Sequence, residues 1–310
     1  MKKPIPYVNE EVATRDFKYY IFDWDDNILH MPTKIKMEHL EANGVWKPVE
    51  VSTSTFAVVR TDVAHYRAPG GVWANAFVNF EDSPERDNFI EDTLDALQRV
   101  ERGEKPGPSY NALKKTLREG RIFAIVTARG HSPETIEKAV RLFIRYALND
   151  EERAEMMSNL RGYRAVIDGV GDGEFGTDAE ALDYYLSMCR YSAVTYAGFK
   201  ERMTHDPIYQ EKLATATTAA KPELAKEFAI RDFVEHIFHM IRRNGTAGRP
   251  VSIGFSDDDK GNVKTVSSYI KEELSKRFEG IKFVVYDTSD RTLDKGRKVC
   301  VSGQLNLPGF

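Results

Sequence analysis

Three apolar runs in the sequence end in polar residues whose side chains could carry out chemistry together. The letters DWDDN occupy residues 23–27, TARG occupies residues 127–130, and SDDD occupies residues 256–259. Each group directly follows a short β-prone run, so each is expected to leave the carboxyl end of a buried strand. In an open parallel sheet those ends form the ligand site. We therefore predict that the three groups converge on one pocket.

The acidic residues in these groups favour a divalent cation. Carboxylates brought within a few ångströms repel one another, and a hard cation relieves that repulsion. Magnesium prefers oxygen ligands and binds through one or two carboxylates while keeping water molecules. We predict that Asp23, the backbone carbonyl of Asp25 and Asp258 supply its protein ligands. Asp257 and Asp259 flank Asp258, so the register of the third group stays open.

The two acids at Asp23 and Asp25 suit covalent phosphoryl transfer. A carboxylate in line with a phosphorus atom can form a phosphoryl-enzyme, which divides one difficult displacement into two easier steps. Asp23 is the predicted nucleophile. Asp25 is the predicted general acid that protonates the leaving oxygen and the base that later activates water.

A phosphoryl group also needs hydrogen-bond donors and a positive charge. Thr127 is predicted to donate from its hydroxyl and Ala128 from its backbone amide. A cation near a helix start would offset the phosphate charge that otherwise repels the attacking carboxylate. Lys226 begins the helix predicted before the third polar group and leads its apolar face, so it is the first choice. Lys221 is the alternative.

Alternating strands and helices must position these groups. Short apolar, β-prone runs predict four buried core strands, at residues 19–22, 121–126, 251–255 and 283–286. A long amphipathic helix is predicted at residues 226–241, where apolar positions follow helical spacing. This order predicts an α/β fold with a Rossmann-like parallel sheet. Of two further strand candidates, residues 193–196 are favoured over residues 165–167.

Two stretches interrupt the predicted core. Residues 31–82 include Val-, Thr- and Ala-rich runs at 51–63 and 71–80 that are typical of strands, so they predict a β-containing cap insert. Residues 150–189 are the candidate for a second, mainly helical cap element. The core then consists of residues 1–30, 83–149 and 190–310. Caps of this kind set substrate choice and exclude water.

The composition narrows the class of protein. The 310 residues are 41% hydrophobic and 30% charged, as in soluble globular proteins. Because the net charge is −4, the protein as a whole has no positive field that would attract nucleic acid. A local basic groove is still compatible with this net charge. Two cysteines exclude a disulfide framework and a thiolate metal site. The sequence has no apolar leader or membrane-spanning run, which predicts a cytoplasmic protein that does not contact membranes.

The order of these motifs resembles the haloacid dehalogenase (HAD) superfamily. A hydrophobic run precedes the D-x-D at residues 23–25, and a threonine-ended strand, a lysine and an acid-ended strand follow. The resemblance covers the predicted core and implies a Rossmann-like sheet, magnesium, and an aspartate nucleophile at Asp23. The acid at Asp25 implies a phosphatase or phosphomutase rather than a dehalogenase. Asn27 departs from the family pattern, which usually has threonine or valine at that position.

The resemblance implies a phosphohydrolase of small phosphomonoesters that acts through an aspartyl-phosphate. A polynucleotide 3′-phosphatase is an alternative, because the TARG letters and the paired acids are similar to those of nucleic-acid end-processing members. A phosphoprotein phosphatase, a phosphomutase and a non-catalytic binding module of the same fold are further alternatives. The substrate and the oligomeric state are not defined by the sequence.

Overall fold

The computed structural model describes residues 8–169, 176–217, 221–243, 249–290, 292–293 and 296–302. The strands are β1 Phe17–Phe22, β2 Ile35–Leu40, β3 Trp46–Val51, β4 Tyr66–Arg67, β5 Phe123–Thr127, β6 Arg190–Ala193, β7 Val251–Asp257, β8 Ile281–Asp287 and β9 Arg297–Ser302. The helices are α1 Thr53–Val59, α2 Trp73–Ala76, α3 Asn88–Glu101, α4 Tyr110–Arg118, α5 Pro133–Ala147, α6 Asp150–Tyr163, α7 Asp178–Met188, α8 Ala197–His205, α9 Pro207–Thr215, α10 Lys221–Arg243, α11 Lys260–Tyr269 and α12 Ser275–Arg277. Within the described ranges, no helix has both the length and the apolar character needed to cross a membrane.

The central sheet has six strands in the order β6-β5-β1-β7-β8-β9. The first five are parallel, and β9 adds an antiparallel edge. The predicted α/β fold with a mostly parallel, Rossmann-like sheet is therefore confirmed. The favoured strand candidate at residues 193–196 overlaps the end of β6, whereas residues 165–167 lie in a π-helical turn. The edge strand β9 was not among the predicted strands.

Apolar side chains cover both faces of β1, as expected for a central parallel strand. Phe17, Tyr19 and Ile21 face a cluster built from α10, α11 and the next strands. Phe22 faces the opposite cluster, which contains Phe123 of β5 and residues of α3, α4 and α5. Each large apolar side chain removed from water contributes about 1.5–3 kcal/mol, so these two clusters hold β1 in the middle of the sheet.

The first predicted insert contains a three-stranded antiparallel sheet in the order β3-β2-β4. The strands predicted at residues 51–63 and 71–80 are wrong. The hydroxyl of Ser52 accepts a hydrogen bond from the Thr55 amide and caps α1, so most of the first run is helical. The second run contains α2 and a 3₁₀ turn at Val78–Phe80.

The segment predicted as a second cap element contributes α6 and α7. The Asn159 side chain of α6 donates to the backbone carbonyl of Arg118 (2.7 Å), and Leu160 lies against Gly120 just before β5. Asn159 also accepts a hydrogen bond from Asn9, ahead of β1 (2.8 Å). These contacts place α6 near the amino ends of β1 and β5, away from the carboxyl ends where the predicted site residues lie.

Asn27 connects three strands at their carboxyl ends. Its amide nitrogen donates to the carbonyl of Asp23 after β1 (2.9 Å) and to the carbonyl and hydroxyl of Ser256 in β7 (3.2 and 3.1 Å). Its side-chain oxygen accepts from the Thr288 hydroxyl after β8 (2.8 Å), and its own carbonyl accepts from the Ser109 amide (2.7 Å). Asn27 is fully buried, so no water can replace these bonds. A single amide thereby fixes the strand ends relative to one another.

We predict that Asn27→Ala lowers the free energy of unfolding by about 3 kcal/mol, because it leaves several buried donors and acceptors without partners. Asn111→Ala, at an exposed position of α4, is the matched control and should change it by less than about 0.5 kcal/mol. Urea unfolding followed by circular dichroism measures both. Equal stability of the two variants would contradict the role assigned to Asn27.

Candidate active site

Asp23 follows β1 and lies in the interior of the protein. Its amide donates to the carbonyl of Ser256 (3.1 Å), which holds it beside β7. Only 6% of the residue is exposed. Burial raises the pKa of Asp23 well above its usual range, the positive charge of Lys226 opposes that shift, and the neighbouring negative charges of Asp257, Asp258 and Asp25 add to it. The charged form of Asp23 therefore depends on nearby cations.

Lys226 supplies the positive charge closest to Asp23. It lies in the second turn of α10, and its ammonium group donates to Asp257 (2.6 Å) and to Asp23 (3.4 Å). Burial alone would lower the pKa of Lys226, but the charges of Asp257 and Asp23 outweigh burial and raise it. Lys221, the alternative lysine, is exposed at the first residue of α10. The structure thus brings Lys226, and not Lys221, to the acidic residues.

Asp257 ends β7 and is the most deeply buried of the three consecutive acids. It accepts hydrogen bonds from the backbone amide of Asp259 (2.9 Å) and from the side chain of Asn262 (3.2 Å) in addition to its ion pair with Lys226. Asp259 is exposed and caps α11 through the amides of Gly261 and Asn262. Asp257 is therefore the member of the trio that shares a cation with Asp23.

Asp258 lies between Asp257 and Asp259 in the sequence and is partly buried. Burial raises the pKa of Asp258 to about 8, and the charges of Asp257 and Asp26 add to the effect while Lys226 opposes it. Several carboxylates thus meet around one lysine. A further positive charge would relieve the repulsion between them.

Asp25 is held by Arg129 through both of its carboxylate oxygens. The guanidinium donates to them over 2.8 and 2.6 Å, and the Thr127 hydroxyl donates to one of them over 3.3 Å. A bidentate arginine pair fixes the orientation of a carboxylate as well as its position. Thr127, predicted to bind phosphate, contacts Asp25 in this structure. The backbone carbonyl of Ala128 accepts from the Thr195 hydroxyl (3.1 Å), and Ala128 itself is exposed at the rim.

Arg129 is almost completely buried, and residues of the 31–82 insert help to hold it. Its guanidinium lies over the rings of Phe80 (4.6 Å) and Phe89 (4.8 Å) and donates to the Thr33 hydroxyl (2.8 Å). The insert contributes Thr33 and Phe80, so it contacts the residue that orients Asp25. No role for Arg129 was predicted from the sequence. Its place beside Thr127 in the TARG letters was the available signal.

A second contact joins the insert to the acidic loop. The Thr53 hydroxyl at the start of α1 donates to Asp26 (2.8 Å), whose other oxygen contacts the His30 ring (2.7 Å). Asp26 has a positive backbone φ of 55°, a conformation that aspartate tolerates better than most residues. This turn directs Asp26 toward the insert. Trp24, whose role was open, is fully buried against Phe89 and packs in the core.

The magnesium prediction concerns a shell of two carboxylates and one backbone carbonyl. Among the described residues, no three His, Cys, Asp or Glu side chains are grouped closely enough to hold a metal ion. Magnesium commonly takes only one or two carboxylates and completes its shell with water and phosphate oxygens. Asp23 and Asp257, which are buried together with one lysine between them, fit that donor set.

The chain was compared with protein-family models, with curated proteins and with solved structures, and none of the three comparisons gave a match. The geometry of the site is therefore what indicates its chemistry. That geometry joins residues from β1, β5, α10 and β7 at the carboxyl edge of the sheet, where ligands bind in open α/β folds.

His131 and Arg129 both contact the ring of Phe89, and the protonation of His131 reports on the burial of this region. Its ring stacks on Phe89 at 4.9 Å, and neither ring nitrogen has a hydrogen-bond partner among the described residues. Burial lowers the pKa of His131 to about 4, and the positive charge of Arg129 adds to that shift. Between about pH 6.5 and pH 4, His131 is therefore protonated in the unfolded chain but not in the folded protein. Because the unfolded state binds the extra proton, the free energy of unfolding decreases as the pH falls through this range.

We predict that His131→Phe reduces this acid destabilisation by about 3 kcal/mol between pH 6.5 and pH 4. Urea unfolding at a series of pH values measures the difference from the wild type. His239→Gln, on the exposed side of α10, should leave the pH dependence unchanged. Parallel pH profiles for wild type and His131→Phe would show that His131 titrates normally.

Proposed function

We propose that the protein is a magnesium-dependent phosphohydrolase that acts through an aspartyl-phosphate on Asp23. The observation that carries this proposal is the buried arrangement in which Lys226 contacts both Asp23 and Asp257, at 3.4 and 2.6 Å. The resemblance to the HAD superfamily implies one lysine near the acids at the carboxyl ends of two strands. Lys226 has this position between Asp23 and Asp257, at the ends of the adjacent parallel strands β1 and β7. A structural ion pair alone would not need the further acids Asp25 and Asp258 beside it.

Asp23 suits the role of nucleophile because its carboxylate follows a central strand and lies 3.4 Å from the ammonium group of Lys226. In the first step a carboxylate oxygen of Asp23 forms a bond to phosphorus while the bond from phosphorus to the leaving oxygen breaks. Lys226 opposes the rise in the pKa of Asp23 that burial causes, and it would offset the charge of the phosphate. In the second step water attacks phosphorus, inorganic phosphate leaves, and the Asp23 carboxylate is restored.

Magnesium would be held by Asp23, the backbone carbonyl of Asp25 and the acids at the end of β7. When bound, it would supply positive charge to a phosphoryl oxygen and to the crowded carboxylates. Asp257 is the favoured ligand of the trio because it is the one that faces Asp23 through Lys226. Asp258 is the alternative, and Asp259 is occupied as the cap of α11.

Asp25 would move the protons in both steps. It would donate a proton to the leaving oxygen when the phosphoryl bond breaks and remove one from water when the intermediate is hydrolysed. Arg129 contacts both carboxylate oxygens of Asp25, so one of them would have to leave the guanidinium to carry a proton. Arg129 and Thr127 would act as positioning residues that hold this carboxylate next to the site. Positioning of this kind contributes to rate because a displaced acid cannot reach the leaving oxygen.

The insert of residues 31–82 would act as a cap that limits the substrate to a small phosphomonoester. Its Thr53 contacts Asp26, and its Thr33 and Phe80 contact Arg129, so it borders the acidic loop on two sides. A polynucleotide 3′-phosphatase, a phosphoprotein phosphatase and a phosphomutase would use the same Asp23 chemistry on other substrates. A panel of phosphorylated metabolites, peptides and oligonucleotides, assayed with magnesium, separates these substrates.

We predict that Asp23→Asn lowers magnesium-dependent release of phosphate from an aryl phosphate at least about a thousandfold, because the amide cannot attack phosphorus. Asp259→Asn is the matched control, since asparagine also caps helices, and it should stay within about threefold of the wild type. Unchanged circular dichroism of both variants excludes unfolding. Wild-type activity in Asp23→Asn would refute the nucleophile assignment, and an inactive wild type would favour the binding-module alternative.

We predict that Asp257→Asn raises the magnesium concentration for half-maximal activity at least about tenfold, because a metal ligand loses its charge. Asp258→Asn should raise it less. Magnesium titrations of phosphate release, with both variants at matched protein concentration, measure the two shifts. The reverse order of effects would assign the leading metal position to Asp258.

A further inference from the structure

The two faces of the central sheet differ in the polarity and size of their side chains along β7. Along β7, Val251, Ile253 and Phe255 point into the core beneath α10 and α11. The alternate residues, Ser252 and Gly254 among them, are small or polar. A parallel sheet normally carries apolar residues on both faces because helices cover both. Around Ser252 and Gly254 the second face therefore lacks the apolar side chains that would receive a helix, whereas Ser256 is buried and accepts a hydrogen bond from Ser109, just before α4.

The strand register arranges that face into three rows that run across β1, β7 and β8. Residues paired in a parallel ladder point to the same side of the sheet. From the amino end to the carboxyl end, the rows are Lys18–Ser252–Lys282, Tyr20–Gly254–Val284 and Phe22–Ser256–Tyr286. Lys18 is exposed and Tyr20, Lys282 and Tyr286 are partly exposed, whereas Phe22, Gly254, Val284 and Ser256 are buried. The ring of Tyr20 stacks on that of Phe22 at 5.8 Å, so the remainder of the Tyr20 ring is what the face offers. The face therefore combines aromatic rings with lysines at one edge.

An open cleft of about 530 Å³ lies over the two carboxyl-end rows, between β8 and α4. Tyr20 and Tyr286 line it, together with the hydroxyls of Ser109 and Thr288 at its inner end. Gly254 lies between the two rings: a Cβ there would be 3.0 Å from Tyr20 Cδ1 and 3.7 Å from Tyr286 Cε2. Glycine thus permits both rings to approach the same stretch of sheet.

The charges on this face are mostly positive and not neutralised. No carboxylate in the described part of the chain lies within ion-pair distance of Lys18, Lys282 or Lys298. Lys298 of β9 lies directly opposite Tyr286 of β8 in the antiparallel register. On the α4 wall, Lys114 is paired with Glu152 at 2.9 Å and so adds little net charge. Lys115 on the same wall is exposed and lies 3.7 Å from Glu119. Of the lysines bordering this face, those without an ion-pair partner in the described part of the chain therefore lie on the sheet itself, Lys18 and Lys282 in the row next to Tyr20 and Lys298 opposite Tyr286.

We propose that this sheet face, defined by Lys18, Tyr20, Lys282, Tyr286 and Lys298, binds single-stranded nucleic acid. Partly exposed rings offer stacking surfaces for unpaired bases, and the lysines offer partners for the phosphates. A protein with a net charge of −4 has no general attraction for nucleic acid, so the local lysines would have to supply it. An apolar helix from a partner is a poorer occupant, because it would bury these unpaired lysines.

Binding at this face does not depend on Asp23 or on any phosphatase activity. The buried bonds of Asn27 with Ser256 and Thr288 lie between the cleft and the acidic residues. A binding measurement without magnesium therefore tests the face separately from the proposed chemistry. Its failure would leave the phosphohydrolase proposal intact, and an inactive enzyme would leave the binding proposal intact.

The test is fluorescence anisotropy with labelled single strands of about ten nucleotides, in low salt with EDTA, alongside the duplex of the same sequence. The wild type should bind the single strand more tightly than the duplex, whose bases cannot stack on the tyrosines. The double variant Lys18→Glu/Lys282→Glu should weaken binding at least about tenfold and reduce the slope of log affinity against log salt by about 1.4. Tyr286→Leu, which keeps an apolar side chain, should weaken binding about tenfold.

The matched control is Lys264→Glu/Lys276→Glu, two exposed lysines in α11 and α12 on the helix-covered side of the sheet. It makes the same change in net charge and should leave binding within about twofold of the wild type. Three results would overturn the proposal: no binding by the wild type, equal weakening by both double variants, or unchanged binding by Tyr286→Leu. Urea unfolding of each variant confirms that the fold is retained.

Discussion

The site depends on one buried lysine that must serve two carboxylates. Lys226 contacts Asp257 closely and Asp23 less closely, and both acids are shielded from water. Removing one partner of such a group leaves an uncompensated buried charge, which costs several kcal/mol, on the order of 3–5. The long connection from β6 through α8, α9 and α10 exists in part to bring this ammonium group back to the centre of the sheet. Because the cation is shared, the charge state of each acid depends on the other.

Much of the core could be predicted from local patterns. Short apolar runs and 3.6-residue periodicity identify buried strands and amphipathic helices because burial itself imposes those periods. The convergence of the polar groups after β1 and β7 was predicted because the ends of parallel strands meet at one edge. Asp258 was the acid first chosen from the second of these groups, whereas Asp257 is the one that contacts Lys226. Lys226 was predicted from its place near the start of a helix and at the head of an apolar face. The structure places it against Asp23 and Asp257, and its catalytic role remains a proposal.

Other features could not be predicted because they depend on tertiary contacts. Residues 51–63 have the composition of a strand, but the Ser52 cap and packing within the insert make most of them helical. The role of Arg129 depends on Phe80, Phe89 and Asp25, which are distant from one another in the sequence. Asn27 differs from the residue expected at its position, and only the positions of Ser256 and Thr288 explain why an amide is useful there. Long-range partners of this kind leave no periodic signal in the sequence.

The position of β1 has a consequence for biosynthesis. In the finished sheet β1 pairs with β5 on one side and with β7 on the other, where Phe17 lies opposite Val251. While the ribosome is still translating the middle of the chain, one hydrogen-bonding edge of β1 has no partner. An unpaired strand edge of apolar residues is prone to aggregation, so nascent chains of this protein should need protection by chaperones until translation has passed β7. The same delay keeps Asp23 without its neighbour Asp257 until β7 has been synthesised.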